Sequence, residues 1–193
     1  MLGIIIAAIA IAMAFYFDAS VANFMATHQN RTLRNVMLNV SRFGDWWEHF
    51  LVGLGLMGIA WWRGNRKWAR IFVAALIALS IAGLTGRVIK ISTGRARPSV
   101  KAEQMWNGPR VSGSKYHSFP SGHVDVSMGF VGVLLLAKRR IGLACLPIPI
   151  LIGFSRLYLR AHYLSDVVCG AALGIVAALV VWHFARRRIE NRK

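Results

Sequence analysis

Six apolar stretches divide this chain, and their lengths constrain its fold more than any other feature. They run Met1–Phe17, Trp46–Trp62, Ile71–Gly86, Ser121–Ala137, Ile141–Leu159 and Leu164–Ala185. A helix that crosses a bilayer needs about 20 predominantly apolar residues. Some stretches are shorter if every charge is treated as a boundary, but long basic side chains at helix ends can snorkel to water and extend them. Trp46, Trp47, Trp61, Trp62, Trp68 and Trp182 cluster at segment ends, as interfacial aromatic belts do. Met1–Phe17 lacks the basic start of a secretory signal and reads as a first spanning helix. The expected architecture is therefore an all-α, six-transmembrane helix bundle forming a single membrane-embedded domain over residues 1–193.

Composition supports this assignment. With 56% hydrophobic and 16% charged residues the chain is too apolar for intrinsic disorder. The net charge of +17 suggests nucleic acid, yet most of the 24 Lys and Arg lie between the apolar runs or at their ends and form no single extended surface. No nucleic-acid partner is expected. Arg63, Arg66, Lys67 and Arg70, then Lys138, Arg139 and Arg140, then Arg186, Arg187, Arg188, Arg192 and Lys193 make twelve basic residues in three short segments, against the single acid Glu190. The positive-inside rule puts those segments in the cytoplasm, with both termini and the basic tail 186–193. The first, third and fifth connections then face outward. Cys145 and Cys169 sit within apolar stretches and imply no disulfide framework.

Three clusters on the outward side carry chemistry. Lys90, Arg97 and Pro98 close the third stretch; Pro120, Ser121, Gly122 and His123 open the fourth; Ser155, Arg156, His162 and Asp166 bridge the fifth and sixth. Three cations gathered at a membrane surface are costly unless an anion neutralises them, and arginine forks match phosphate oxygens. Pro120 and Ser121 read as a helix start with Ser121 as N-cap, so free N–H groups at Gly122 and His123 would face an anion. Glycine there admits a phosphate close to the backbone. This is a phosphate cradle that needs no metal. His162 and Asp166, four residues apart, share a face if the helix starts early enough. The carboxylate can then hold one imidazole nitrogen protonated and leave the other free to attack phosphorus, while His123 protonates the departing alkoxide.

These eleven positions resemble the three-part signature of the type 2 phosphatidic acid phosphatase superfamily: Lys-x6-Arg-Pro, Pro-Ser-Gly-His and Ser-Arg-x5-His-x3-Asp. The superfamily includes membrane lipid phosphatases and soluble vanadium haloperoxidases. The resemblance spans Lys90–Asp166 and the six-helix layout. It implies a metal-independent reaction through a phosphohistidine, with His162 as nucleophile, Asp166 as its orienting partner and His123 as general acid. Lys90, Arg97, Ser121, Gly122 and Arg156 would bind phosphate, and no cofactor is expected. The implied protein is a phosphatase acting on a membrane lipid phosphate or diphosphate at the periplasmic face of a bacterial inner membrane. A phosphotransferase passing the same phosphate to a lipid acceptor, and a lipid-binding or transport protein with cations along a path, are the competing readings. Apolar faces turned to lipid or to protein look alike, so no oligomeric state follows.

Other features leave alternatives open. Leu33, Val36, Met37 and Val40 form a helical stripe, either an interfacial helix or a connector packed on the bundle. Asp125 either complements the dipole at a helix start, or tunes His123 or contacts a lipid headgroup. Arg95, Arg160 and Lys101, Trp106, Arg110, Lys115, Tyr116 and His117 of the loop Ser99–Ser118 either read the headgroup, remain solvated or bind anionic lipid.

Overall fold

The computed structural model describes residues 2–190, without the side chain of Glu190; Arg192 and Lys193 of the basic tail lie outside the described residues. Every apolar stretch is helical over most of its described residues. The helices are α1 (Leu2–Thr27), α2 (Arg31–Arg42), α3 (Trp46–Trp62), α4 (Arg66–Thr93), α5 (Gly122–Ala137), α6 (Arg139–Cys145), α7 (Pro147–Tyr158) and α8 (Leu164–Glu190). No strand occurs among the described residues, where Arg95 and Trp106 make one isolated bridge.

Local chemistry explains several boundaries. Asn30 and Asn65 accept from the N–H groups of Leu33 and Trp68 and so cap α2 and α4. Gly94 ends α4 in the left-handed region at φ 54°, where a side chain would also meet the carbonyl of Gly108. The fifth stretch is two helices because Pro147, which lacks an N–H, takes the first position of α7. Other stretches run past the charges taken as their limits. Helix α1 continues ten residues beyond Phe17 and buries Asp18, and α4 spans 28 residues with Lys90 inside its last turn.

Four helical segments are long and apolar enough to cross a membrane: Leu2–Thr27, Arg66–Thr93, Arg139–Tyr158 and Leu164–Ile189. Helices α3 and α5 are shorter, with 17 and 16 residues. Ile4, Ile6, Ile9, Leu51, Val52, Leu84, Val88, Val176 and Leu179 are exposed, an apolar surface that suits lipid. The chain is an integral membrane protein.

Helices α4, α5 and α8 form the centre, joined through Ile71, Ala75, Ala78, Leu79, Val126, Phe130, Val133 and Ala178. Small residues let α8 approach α5 closely. A Cβ on Gly170 would stand 2.7 Å from the Ser121 carbonyl oxygen, and one on Gly174 would stand 2.5 Å from that of Asp125. That crossing places the start of α5 against the start of α8. Helix α2 packs on α7 and buries Met37 with Met25 and Tyr158, while Leu33 and Val36 stay exposed. It is therefore partly the packed connector and partly free to lie against an interface.

The bundle has two chemically different ends. Lys90, Gly122 and Asp166 lie at one, because α4 finishes there while α5 and α8 begin there. Arg66 lies 24 residues before Lys90, about 36 Å away along a helix. Arg70 donates to the carbonyl of Arg188 at 3.2 Å, so the second connection meets the end of α8 at the far side.

Candidate active site

Backbone groups knit the three signature clusters together. Lys90 Nζ donates to the carbonyls of Pro120 at 2.8 Å and His117 at 3.1 Å. The Ser121 N–H donates to the Asp166 carbonyl at 2.9 Å, and the Ser118 N–H to that of Arg95 at 3.0 Å. Ser121 stands at the N-cap position of α5, as expected, but its hydroxyl makes no capping bond. Buried Ser121 Oγ, Arg97 Nε and Arg156 Nε all have no hydrogen-bond partner among the described residues. Buried polar atoms are ordinarily paired. Three orphans drawn from the three clusters leave hydrogen-bonding capacity at the site for a ligand rich in acceptors.

His162 lies in the short connection before α8, not within the helix. Its Nδ1 is 2.7 Å from the Ser118 carbonyl and 3.5 Å from Asp166 Oδ2. A carbonyl can only accept, so Nδ1 carries the proton and Nε2 keeps its lone pair. The close orienting partner is therefore the backbone of Ser118, with Asp166 behind it. Asp166 is itself held by Ser118 Oγ at 2.5 Å and the Tyr163 N–H at 2.8 Å. Burial pushes the imidazole pKa down to about 4, although the Asp166 carboxylate pulls it upward.

Arg95 does not read a headgroup and is not solvated. It is only 1% exposed, and it donates to Asp166 Oδ1 at 2.5 Å, Ser165 Oγ at 2.7 Å and Asp18 Oδ2 at 2.6 Å. Its guanidinium also lies 4.3 Å and 4.6 Å from the ring centres of Tyr163 and Trp106. Asp18 accepts from the Ser165 N–H and hydroxyl as well. One cation thus bridges the acid of α1 and the acid behind His162. Nothing in the local sequence of α1 points to this pairing.

His123 faces the first connection. Its Nε2 is 3.0 Å from Asp45 Oδ1, and Gly44 packs on its ring. Asp45 is the N-cap residue of α3 but makes no side-chain cap bond, which leaves its carboxylate for His123. Burial, reinforced by Glu48, pushes the Asp45 pKa up, against the pull of Arg156 and His49. Arg156 donates to Ser41 Oγ at 2.5 Å. The connection given no chemistry from its sequence therefore supports both a histidine and an arginine of the site. Burial also pushes the pKa of Arg97 down, which favours an anionic neighbour.

Asp125 makes no hydrogen bond to His123 and does not open to the surface. It is fully buried against Gly86 of α4, and neither carboxylate oxygen has a partner among the described residues. The helix carries it to the bundle interior, since two residues turn its direction by about 200° from His123. Within the loop, His117 is buried and bonds the Arg110 carbonyl, Trp106 packs on Phe119, and Arg160 donates to the Pro98 carbonyl. These three shape the loop; Lys101, Arg110 and Lys115 are exposed, with Arg110 stacked on the partly buried Tyr116.

A groove of about 510 Å³ runs from this site between α3, α4 and α5. Asp45, Lys90, Arg87, Gly122 and His123 line its polar part, and Trp46, Gly83, Leu84 and Val126 its apolar part. An anionic head with an apolar tail matches this division.

Comparison with known proteins assigns the chain to a family. The chain is 33% identical over 159 residues to a decaprenylphosphoryl-5-phosphoribose phosphatase of Mycobacterium tuberculosis, covering 80% of this chain and 81% of that protein. It is 36% identical over 95 residues to a lipid A 1-phosphatase of Rhizobium johnstonii, covering 48% of this chain but only 39% of that protein's length. In fold it is similar to the crystal structure of a transmembrane PAP2 type phosphatidylglycerolphosphate phosphatase from Bacillus subtilis, with a TM-score of 0.71 and 20% identity over 98% of this chain and 96% of that one. The PAP2 superfamily profile itself matches residues 67–190, which hold all three converging clusters, and on that evidence the chain belongs to the PAP2 superfamily.

Proposed function

We propose that the protein is a metal-independent lipid phosphate phosphatase working through a phosphohistidine on His162. The observation that carries this reading is the convergence of unpartnered buried donors, Ser121 Oγ, Arg97 Nε and Arg156 Nε, with an imidazole whose Nδ1 is already committed to Ser118. In this scheme His162 Nε2 attacks phosphorus. Lys90, Arg97, Arg156 and the N–H groups at Gly122 and His123 take up charge on the other oxygens, a preorganised arrangement effective where water is excluded. His123 protonates the leaving oxygen, and water then cleaves the phosphorus–nitrogen bond. Asp166 and Ser118 position the nucleophile.

The same reading places six helical segments across a bacterial inner membrane, with α6 and α7 forming one crossing and the site at the periplasmic interface. The three basic segments and both termini are then cytoplasmic, in accord with the positive-inside rule. The groove would hold the lipid tail while the phosphate sits at interface depth. The phosphate-bearing lipids named for the relatives support an acyl or prenyl lipid as substrate.

Brief mixing of the purified chain with a ³²P-labelled lipid phosphate, followed by alkaline denaturation, is expected to leave label on His162. Vanadate should compete with substrate, and chelators should leave the rate unchanged. Label on no histidine, or loss of activity with a chelator, would overturn the mechanism.

Asp45 gives a separate test of the role of His123. Asp45→Asn is expected to slow hydrolysis of an alkyl or prenyl monophosphate by about 10- to 100-fold, a part of the roughly 10²–10⁴-fold that general-acid assistance contributes, since His123 itself remains. Hydrolysis of p-nitrophenyl phosphate, whose leaving group needs little protonation, should fall far less. Equal losses for the two substrates would remove Asp45 from that role.

A further inference from the structure

Helix α4 carries a cation that the phosphate cradle leaves unused. Arg87 stands one turn before Lys90, on the stripe that presents Ser80, Gly83, Leu84 and Lys90 to the groove. It is exposed and has no side-chain hydrogen bond or ion pair among the described residues. Lys90, by contrast, gives two of its three N–H donors to the carbonyls of Pro120 and His117 and keeps one for the cradle. A charge six residues inside the end of an apolar helix is costly in hydrocarbon, and such residues mark ligand paths.

The order of groups along the groove is informative. His123 and Gly122 adjoin the scissile position, and Arg87 follows Lys90 about 4.5 Å further along α4. Leu84 and Gly83 come next and are apolar. A lipid monophosphate would lay hydrocarbon directly against the guanidinium. A lipid diphosphate would lay its second phosphoryl group there and its tail beyond. Asp45, the acid of the same lining, is bound to His123 and is more than half exposed, so it has room to turn outward.

We infer that Arg87 forms a second anion subsite, which takes the non-transferred phosphoryl group of a lipid diphosphate. The inference rests on the phosphatase reading above. As His162 Nε2 bonds to the terminal phosphorus, the bridging phosphorus–oxygen bond breaks and its electron pair leaves on the lipid monophosphate. His123 supplies a proton to that oxygen, and Arg87 meets the charge that grows on the departing phosphoryl group. Water then releases orthophosphate and restores both imidazoles. Because the charge increases in the transition state, Arg87 contributes to turnover as well as to binding.

The test compares kcat/KM for a prenyl diphosphate with that for the monophosphate of the same prenyl chain, using the full-length chain in detergent. The wild type should favour the diphosphate. Arg87→Gln should lower the diphosphate-to-monophosphate ratio by about 10- to 100-fold, the loss of one charge-assisted contact, and Arg87→Lys should restore part of it. Arg63→Gln, at the opposite end of the bundle, should leave the ratio unchanged. A ratio unaffected by Arg87→Gln, or a wild type that prefers the monophosphate, would overturn the subsite and leave the phosphatase reading standing. No phosphate released from either lipid by the wild type would overturn that reading and the subsite with it.

Discussion

Replacing His162 with glutamine is expected to abolish phosphate release, lowering turnover by at least about 10⁴-fold, as loss of a nucleophile does when the surrounding groups act as a unit. Glutamine can still donate an amide N–H to the Ser118 carbonyl, which His162 meets at 2.7 Å, but it offers no nitrogen able to attack phosphorus. Alanine would remove the nucleophile and also leave that buried carbonyl unpaired, at a cost of about 1–3 kcal/mol. Glutamine therefore separates chemistry from folding better. The same variant should change the response to acid. Burial lowers the folded pKa of His162 to about 4 from an unfolded value of 6.5, so between those limits the unfolded chain binds a proton that the folded chain refuses. The contribution of His162 to stability is full above pH 6.5 and falls as pH drops toward 4, by up to about 1.4 kcal/mol per pH unit. The decrease in thermal midpoint from pH 7.5 to pH 4.5 should thus be smaller in His162→Gln than in the wild type. Wild-type turnover in the variant would end the mechanism, and identical pH slopes would show that His162 titrates as it does in the unfolded chain.

Arg95→Leu should be the most destabilising single substitution near the site. It removes the cation from two buried acids, Asp18 and Asp166, whose side chains are 7% and 0% exposed. Breaking a buried ion pair in this way costs about 3–5 kcal/mol, because the remaining charge is left without compensation. Two carboxylates are stranded here, so the upper part of that range is expected. Asp18→Asn should cost less, since an amide oxygen still accepts from the Ser165 N–H. Both variants should lose activity through Asp166, although neither residue lies in the groove. Thermal unfolding in detergent gives the ranking directly, and Arg95→Leu with a midpoint equal to that of the wild type would show that the network carries no net stability.

Much of the site could be read along the chain because its residue types are scarce in apolar surroundings. Lys90, Arg97, Arg156, His123 and His162 stand out against long runs of Ala, Ile, Leu and Val, and their spacing within each cluster is a local property. Helix existence was equally legible, since hydrophobic runs report burial in lipid or core whatever their partners. Boundaries were less so. Asp18 and Arg87 bound two of the apolar runs, yet helices continue past both. Asp18 finds its partners in Arg95 and Ser165, and Lys90 in the continued last turn of α4 finds two carbonyls.

Pairings across the chain were of another kind. Asp18 and Arg95 lie 77 residues apart, Ser41 and Arg156 lie 115 apart, and Asp45 reaches His123 from a different connection. A lone aspartate in an apolar run names no partner. The Ser118 carbonyl that orients His162 has no residue signature at all, because every residue carries that group. The amino-acid order alone determined which segments are helices and which three clusters carry chemistry, since both depend on neighbours a few residues apart. Only the tertiary structure decided which acid meets which base and which donors remain free for a ligand. Those distances are set by the close crossing of α5 on α8 at Gly170 and Gly174, together with the way the first connection packs against α5 and α7.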